Sequence, residues 1–254
     1  MKKLLATLKG EEEVVAEKIK PKKDDSDRLD LALLAAIDRK LDEETKPYVK
    51  TKVGFSPSDT NDCARRMVYL LRGTEITPTF NARTLRIFGN GHGVHERIGG
   101  YFDALGITIS KEEELWNPMP PIKAFLDLKI DWHGTKIVEI KSISDAGFQY
   151  LLDFNKPKKD HYKQLQVYLR LTVCTQGYIL YENKNTQEFK IFTVDYNEKF
   201  VDDLFEGYLE IYKYFMEGVL PVRPARSKDS PKCRQCELQD LCWADPDKGK
   251  KLPK

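Results

Sequence analysis

The stretch that decides the fold runs from residue 121 to residue 143 and reads PIKAFLDLKIDWHGTKIVEIKSI. Apolar side chains recur at every second position, at Ile122, Ala124, Leu126, Leu128 and Ile130, and return at Val138 and Ile140. That period of two predicts two strands joined by a short loop. Glu139 and Lys141 then share the face opposite Val138 and Ile140. Whether Asp127 joins them depends on the loop. If Trp132-His133-Gly134 is a three-residue loop with Gly134 left-handed, Asp131 pairs with Thr135 and Asp127 falls opposite Glu139. A two-residue His133-Gly134 loop puts Asp127 opposite Ile140, on the wrong face.

In the first register two carboxylates converge on one space with a lysine in reach, because cross-strand neighbours sit about 5 Å apart at Cβ. Such a group suits phosphodiester hydrolysis. A phosphodiester repels anionic nucleophiles and leaves as an alkoxide, and Mg²⁺ or Mn²⁺ neutralises the phosphate, lowers the pKa of its bound water and steadies the leaving oxygen. A lysine orients the water and stabilises the charge that builds on the phosphate. The competing reading is a surface ion pair on a half-exposed sheet. Spacing alone does not separate the two, since Glu182-Asn183-Lys184 and Glu188-Phe189-Lys190 repeat the Glu-x-Lys pattern. Downstream context does add discrimination. Lys156-Pro157-Lys158-Lys159 leads through His161 to Gln164-x-x-x-Tyr168, which places Gln164 and Tyr168 on one helix face. Lys156, Lys158 and Lys159 are candidate contacts to a nucleic-acid backbone, or simply a solvated loop.

Outward from this centre the chain reads as alternating elements. An amphipathic helix is expected over Leu29 to Leu41, capped by Ser26 or Asp27, and a turn at Ser56 to Asp59. Helices follow around Cys63 to Arg72 and from about Asn81 to Leu105. Beyond the central pair come a helix from Tyr162 to Val173, strands near Gly177 to Tyr181 and Glu188 to Val194, and a helix from Glu198 to Met216 stopped by Gly218 and Pro221. The expected division is a charged helical extension over 1–50, one main domain over 51–225 and a cysteine-bearing segment over 226–254.

With 254 residues, 41% of them hydrophobic, the chain supports one substantial core. No apolar run approaches the roughly 20 residues that span a bilayer. The stretch from Leu4 to Leu8 is too short for a secretory signal, so a cytoplasmic location is expected. A net charge of +2 means that any nucleic-acid partner is held by a local basic surface and not by a global field.

The five cysteines, without a secretory signal, point away from a disulfide framework. Cys233-x-x-Cys236 and Cys242 form a compact three-ligand group, and Cys63 is the candidate fourth. Zinc and a 4Fe-4S cluster both accept four thiolates, and spacing leaves both open. Cys174, in an apolar neighbourhood, reads as a buried thiol.

Taken in order, these motifs resemble the RecB-like branch of the PD-(D/E)XK nucleases over about Phe55 to Trp243. One cysteine before the core and three after it is similar to the iron–sulfur arrangement of the CRISPR-associated RecB-like exonucleases and AddB-type nuclease domains. The resemblance implies an α/β restriction-endonuclease-like core, a central mixed sheet flanked by helices. It implies Asp127, Glu139, Lys141, Gln164 and Tyr168 as the catalytic set, with Mg²⁺ or Mn²⁺ held by Asp127, Glu139, the Ile140 carbonyl and a helix histidine. In Gly91-His92-Gly93-Val94-His95-Glu96 that histidine is His95, with His92 the competitor. A 4Fe-4S cluster on Cys63, Cys233, Cys236 and Cys242 is implied, with Arg65 and Arg66 on the nucleic-acid side. The implied activity is exonucleolytic hydrolysis of single-stranded DNA or DNA ends, in recombination, repair or phage or CRISPR-type processing. No Gly-x-x-x-x-Gly-Lys-Ser/Thr loop occurs, so unwinding would fall to a separate helicase or recombination partner. The alternatives are a structure-specific or nicking endonuclease with the same residues, and a non-catalytic iron–sulfur DNA-binding module.

Overall fold

The alternation along 121–143 is realised as β2 (Pro121–Asp131) and β3 (Thr135–Ile143), with Ile122, Ala124, Leu126, Leu128 and Ile130 all buried. The structure is a computed structural model describing residues 29–44, 52–61, 63–75, 81–234 and 236–251. Five strands form one mixed sheet in the order β1-β2-β3-β4-β5. β1 (Thr108–Pro118), β2 and β3 are an antiparallel meander. β4 (Gln176–Asn183) runs parallel to β3, and β5 (Phe189–Asp195) antiparallel to β4.

Helices precede, interrupt and follow this sheet. α1 (Leu29–Glu44), a 3-10 turn (Pro57–Asn61), α2 (Ala64–Leu71) and α3 (Ala82–Ala104) come before it. α4 (Asp145–Phe154) and α5 (Lys159–Thr172) make the crossover that a parallel β3–β4 pair requires. α6 (Glu198–Met216) and α7 (Gln239–Ala244) follow β5. α3 covers one face of the sheet, setting Val94 and Ile98 on Leu128, Ile130, Val138, Ile140 and Leu180. α4 and α5 cover the other, with Phe148, Leu151, Leu165 and Leu169 on Ile137, Ile179 and Tyr181. A side chain at Gly177 would meet the Ile137 carbonyl oxygen at 2.7 Å and Leu165 at 3.1 Å, so β4 can lie this close to β3 and α5 only with glycine there.

The α/β class is as expected, and the last long helix spans the expected residues. Asn197 caps it by accepting the Phe200 N–H at 3.0 Å. Three elements were not expected, the short α7 among them. β1 carries Lys111-Glu112-Glu113-Glu114, a charged run without regular alternation, because it is an edge strand open to solvent. α4 has only Phe148 and Leu151 buried, too few apolar contacts to show a helical period; Ser144 starts it by accepting the Gly147 N–H. α5 begins at Lys159, one turn before the expected Tyr162. The proposed caps Ser26 and Asp27 lie outside the described residues.

By its internal contacts the chain divides into two units, Met1–Lys46 with Thr79–Phe88, and Pro47–Pro78 with Gly89–Lys254. The first contains α1, where Asp38 pairs with Arg86. The second contains the sheet. Among the described residues no helix is long and apolar enough to cross a membrane.

Candidate active site

The β2–β3 loop has the odd length. Asp131 pairs with Thr135, and the connecting His133 and Gly134 both take positive φ, 50° and 92°. The pairing runs to Leu128 opposite Val138 and stops there, next to Asp127 and Glu139. There a side chain takes over from the ladder, as Asp127 Oδ2 accepts the Ile140 backbone N–H at 2.8 Å.

Glu139 is fully buried, and its Oε2 has no hydrogen-bond partner. Its Oε1 makes an ion pair with Lys141 Nζ. An unbonded buried carboxylate oxygen is costly in an apolar interior. Burial first, and then the neighbouring Asp127, push Glu139 well above the usual carboxylate range despite the lysine. Burial raises Asp127 as well, against the opposing pull of Lys141. Lys141 loses solvation, but the two carboxylates outweigh that loss and hold it firmly charged.

His95 Nδ1 lies 3.5 Å from Asp127 Oδ1, and burial together with Lys141 lowers its pKa, keeping the imidazole neutral as a metal ligand must be. A third residue joins these two. One ligand atom each of His95, Glu112 and Asp127 lies within 4.8 Å of the others. Glu112 sits on β1 between Lys111, paired with Leu128, and Glu113, paired with Leu126. Glu112 and Asp127 thus come together from adjacent strands with His95, while Glu139 on β3 lies outside this group of three. Glu112 adopts φ 50°, a left-handed conformation that costs a non-glycine residue about 1–2 kcal/mol, and strain of this kind concentrates at functional sites. Sequence reasoning passed over Glu112 because it belongs to no motif and β1 went unrecognised. His92, the competitor of His95, is exposed and outside this group.

On α5, Gln164 Nε2 donates to Tyr168 Oη at 2.9 Å, and Tyr168 donates to the Phe125 carbonyl at 2.8 Å. The pair thereby grips β2 two residues before Asp127. One turn ahead of Gln164, His161 Nδ1 meets the Tyr181 hydroxyl at 2.8 Å, and that hydroxyl also accepts the Lys158 N–H. Burial, then Lys141 and Lys158, bring His161 down to about 3, so it is neutral. Lys156 and Lys159 are exposed and Lys158 is partly so.

The two arginines depart from expectation. Arg65 is wholly buried, its guanidinium bonded to the carbonyls of Pro221 and Asp247 and to Asp245, which removes it from any nucleic-acid surface. Arg66 is committed to Glu237. Both tie α2 to the C-terminal segment. One of the two other Glu-x-Lys repeats also has a structural task, since buried Glu182 holds Arg97 at 2.6 Å.

Cys63 is the N-cap residue of α2, and it lines one small cavity together with Arg66, Cys233, Cys236, Cys242 and Trp243. Burial raises the Cys63 thiol, and Cys242 and Cys233 raise it further, so the residues sense one another across the fold. Cys174 is buried in the main core, as expected.

No family model matches the sequence, and no curated protein does. Solved structures do. LHK-Exo in complex with dAMP is 14% identical over 69% of this chain and 93% of that one, with a TM-score of 0.53. The alkaline exonuclease LHK-Exo from Laribacter hongkongensis is 12% identical over 65% and 90%, with a TM-score of 0.51. SSO0001 is 17% identical over 81% and 93%, with a TM-score of 0.50. The fold is restriction-endonuclease-like. Identities this low show the restriction-endonuclease-like architecture.

Proposed function

We propose that the protein is a divalent-metal-dependent deoxyribonuclease acting on single strands or DNA ends. The observation that carries this reading is the meeting of His95, Glu112 and Asp127 beside the buried Glu139–Lys141 pair. The residues fit a hard cation: two carboxylates and a neutral imidazole converge, and a buried carboxylate oxygen has no other partner. Mg²⁺ or Mn²⁺, held by His95, Asp127, Glu139 and the Ile140 carbonyl with Glu112 added, would supply charge neutralisation at the phosphate and an activated water. Lys141 presents its ammonium in the same space, to orient that water and stabilise charge on the phosphate. Tyr168 and Gln164 are positioning residues, since their hydrogen bonds fix β2 beside Asp127. The exonuclease named among the structural neighbours favours attack at ends. Linear and circular single strands incubated with Mn²⁺ test this: shortening of the linear strand alone supports it, and cutting of the circle replaces it with an endonuclease.

The four cysteines fit a 4Fe-4S cluster, because free thiols from both ends of the fold line one cavity. In this reading Cys63, Cys233, Cys236 and Cys242 staple α2 to the C-terminal segment. Duplex unwinding would come from a separate helicase partner, and the place of action would be the cytoplasm.

A further inference from the structure

Helix α4 leaves two aromatic side chains on its surface. Tyr150 and Phe154 stand one turn apart, 39% and 57% exposed, with ring centroids 4.6 Å apart and planes inclined by 37°. Packing does not account for them, since the helix is anchored by Phe148 and Leu151. Basic groups bracket the two rings. Asn155 ends the helix in a left-handed conformation, and Lys156 Nζ lies 5.4 Å from the Phe154 centroid. At the other end Lys158 Nζ lies 3.3 Å from where a Cβ on Gly147 would be, and Gly147, Tyr150 and Phe154 fall on one helical stripe. The two carboxylates of the helix have partners, Asp153 in Gln149 and Asp145 in Asn183.

This surface is joined to the candidate site by covalent and hydrogen-bonded links. Ser144, the cap of α4, follows Lys141 by three residues. The Lys158 N–H bonds Tyr181, whose hydroxyl holds His161, and His161 senses the charge of Lys141.

We propose that the Tyr150–Phe154 face, with Lys156 and Lys158, is a platform for single-stranded DNA: unpaired bases stack on the two rings while the lysines hold the flanking phosphates. The inference rests on the nuclease reading and gives its single-strand substrate a binding surface. Every base offers a π-face, so the platform is indifferent to sequence; a duplex hides those faces, so it discriminates against paired DNA. Lysines without the rings would hold both forms alike.

The test is fluorescence anisotropy with the full chain in EDTA, where no cutting occurs, using a short labelled single strand and the same sequence as a blunt duplex. Replacing both rings in Tyr150→Ala/Phe154→Ala is expected to weaken single-strand binding at least about tenfold and duplex binding less than about twofold, given the worth of a stacked base. The ring-preserving pair Tyr150→Phe/Phe154→Tyr should bind as the wild type does. Equal loss on both DNAs, or unchanged single-strand affinity in the alanine pair, overturns the platform. So does a wild-type dimer that becomes monomeric in the alanine pair with DNA binding intact, which would make the face a contact between copies. Wild-type protein that binds strands as expected but never cuts them would remove the nuclease and keep the platform. Wild-type protein that cuts strands, with affinity indifferent to both rings, would do the reverse.

Discussion

Asp127 Oδ2 accepts the backbone N–H of Ile140 at 2.8 Å, at the point where regular pairing of β2 and β3 stops. One carboxylate therefore completes the sheet with one oxygen and faces His95 with the other. The two tasks separate by substitution. Asp127→Asn keeps an acceptor for Ile140, whereas Asp127→Ala leaves that N–H unsatisfied and should be the less stable of the two by about 1–3 kcal/mol. Both should lose Mn²⁺ binding. Urea unfolding and titration calorimetry read the two effects independently.

Glu112 carries both a charge and a strained backbone. Glu112→Gln removes the charge and keeps φ at 50°, while glycine takes that φ without a steric penalty. Both variants should bind Mn²⁺ at least about tenfold more weakly. Glu112→Gly should match or exceed Glu112→Gln in stability, the relief of about 1 kcal/mol of strain being offset by the freer unfolded chain. A glutamine variant with wild-type Mn²⁺ affinity would remove Glu112 from the cation site.

The buried carboxylates set a pH dependence. Glu139 and Asp127 titrate above their unfolded values, so the folded metal-free protein binds more protons than the unfolded chain once pH exceeds the ordinary carboxylate pKa of about 4. The contribution of these two carboxylates to the stability of the metal-free protein should therefore fall as pH rises from there toward neutrality, while His95 and His161, held neutral, contribute in the opposite sense. Glu139→Gln should flatten that decline, and Mn²⁺ should reverse it by favouring the ionised pair. Thermal melts with and without EDTA across this range are the check; a metal-free pH slope that is the same in the wild type and in Glu139→Gln would contradict the burial argument.

The cysteine cavity makes a spectroscopic prediction. Anaerobically purified protein should be brown, and Cys63→Ser should lose both the visible absorption and stability, since Cys63 links distant parts of the chain. Colourless protein containing zinc would replace the iron assignment.

Much of this arrangement was legible because periodicity and turn chemistry act locally. Residues 121–143 declared both strands and their loop length, and with them the pairing of Asp131 with Thr135 that ends beside Asp127 and Glu139. Gln164 and Tyr168 were readable from helical spacing, although not their grip on the Phe125 carbonyl. Glu112 was illegible because its meaning comes from the register of an edge strand whose charged residues show no period. Arg65 misled for a related reason. Its burial is created by Pro221, Asp245 and Asp247, more than 150 residues away, and nothing local in the sequence announces that contact.

The most direct measurement is Mn²⁺-dependent digestion of end-labelled single-stranded DNA by the wild type and by Lys141→Ala, with matching circular dichroism as a control for folding. Wild-type protein should degrade the strand, and the variant should do so at least about a hundredfold more slowly, the scale expected for loss of one charge-stabilising group. Equal rates in the two proteins would contradict the account.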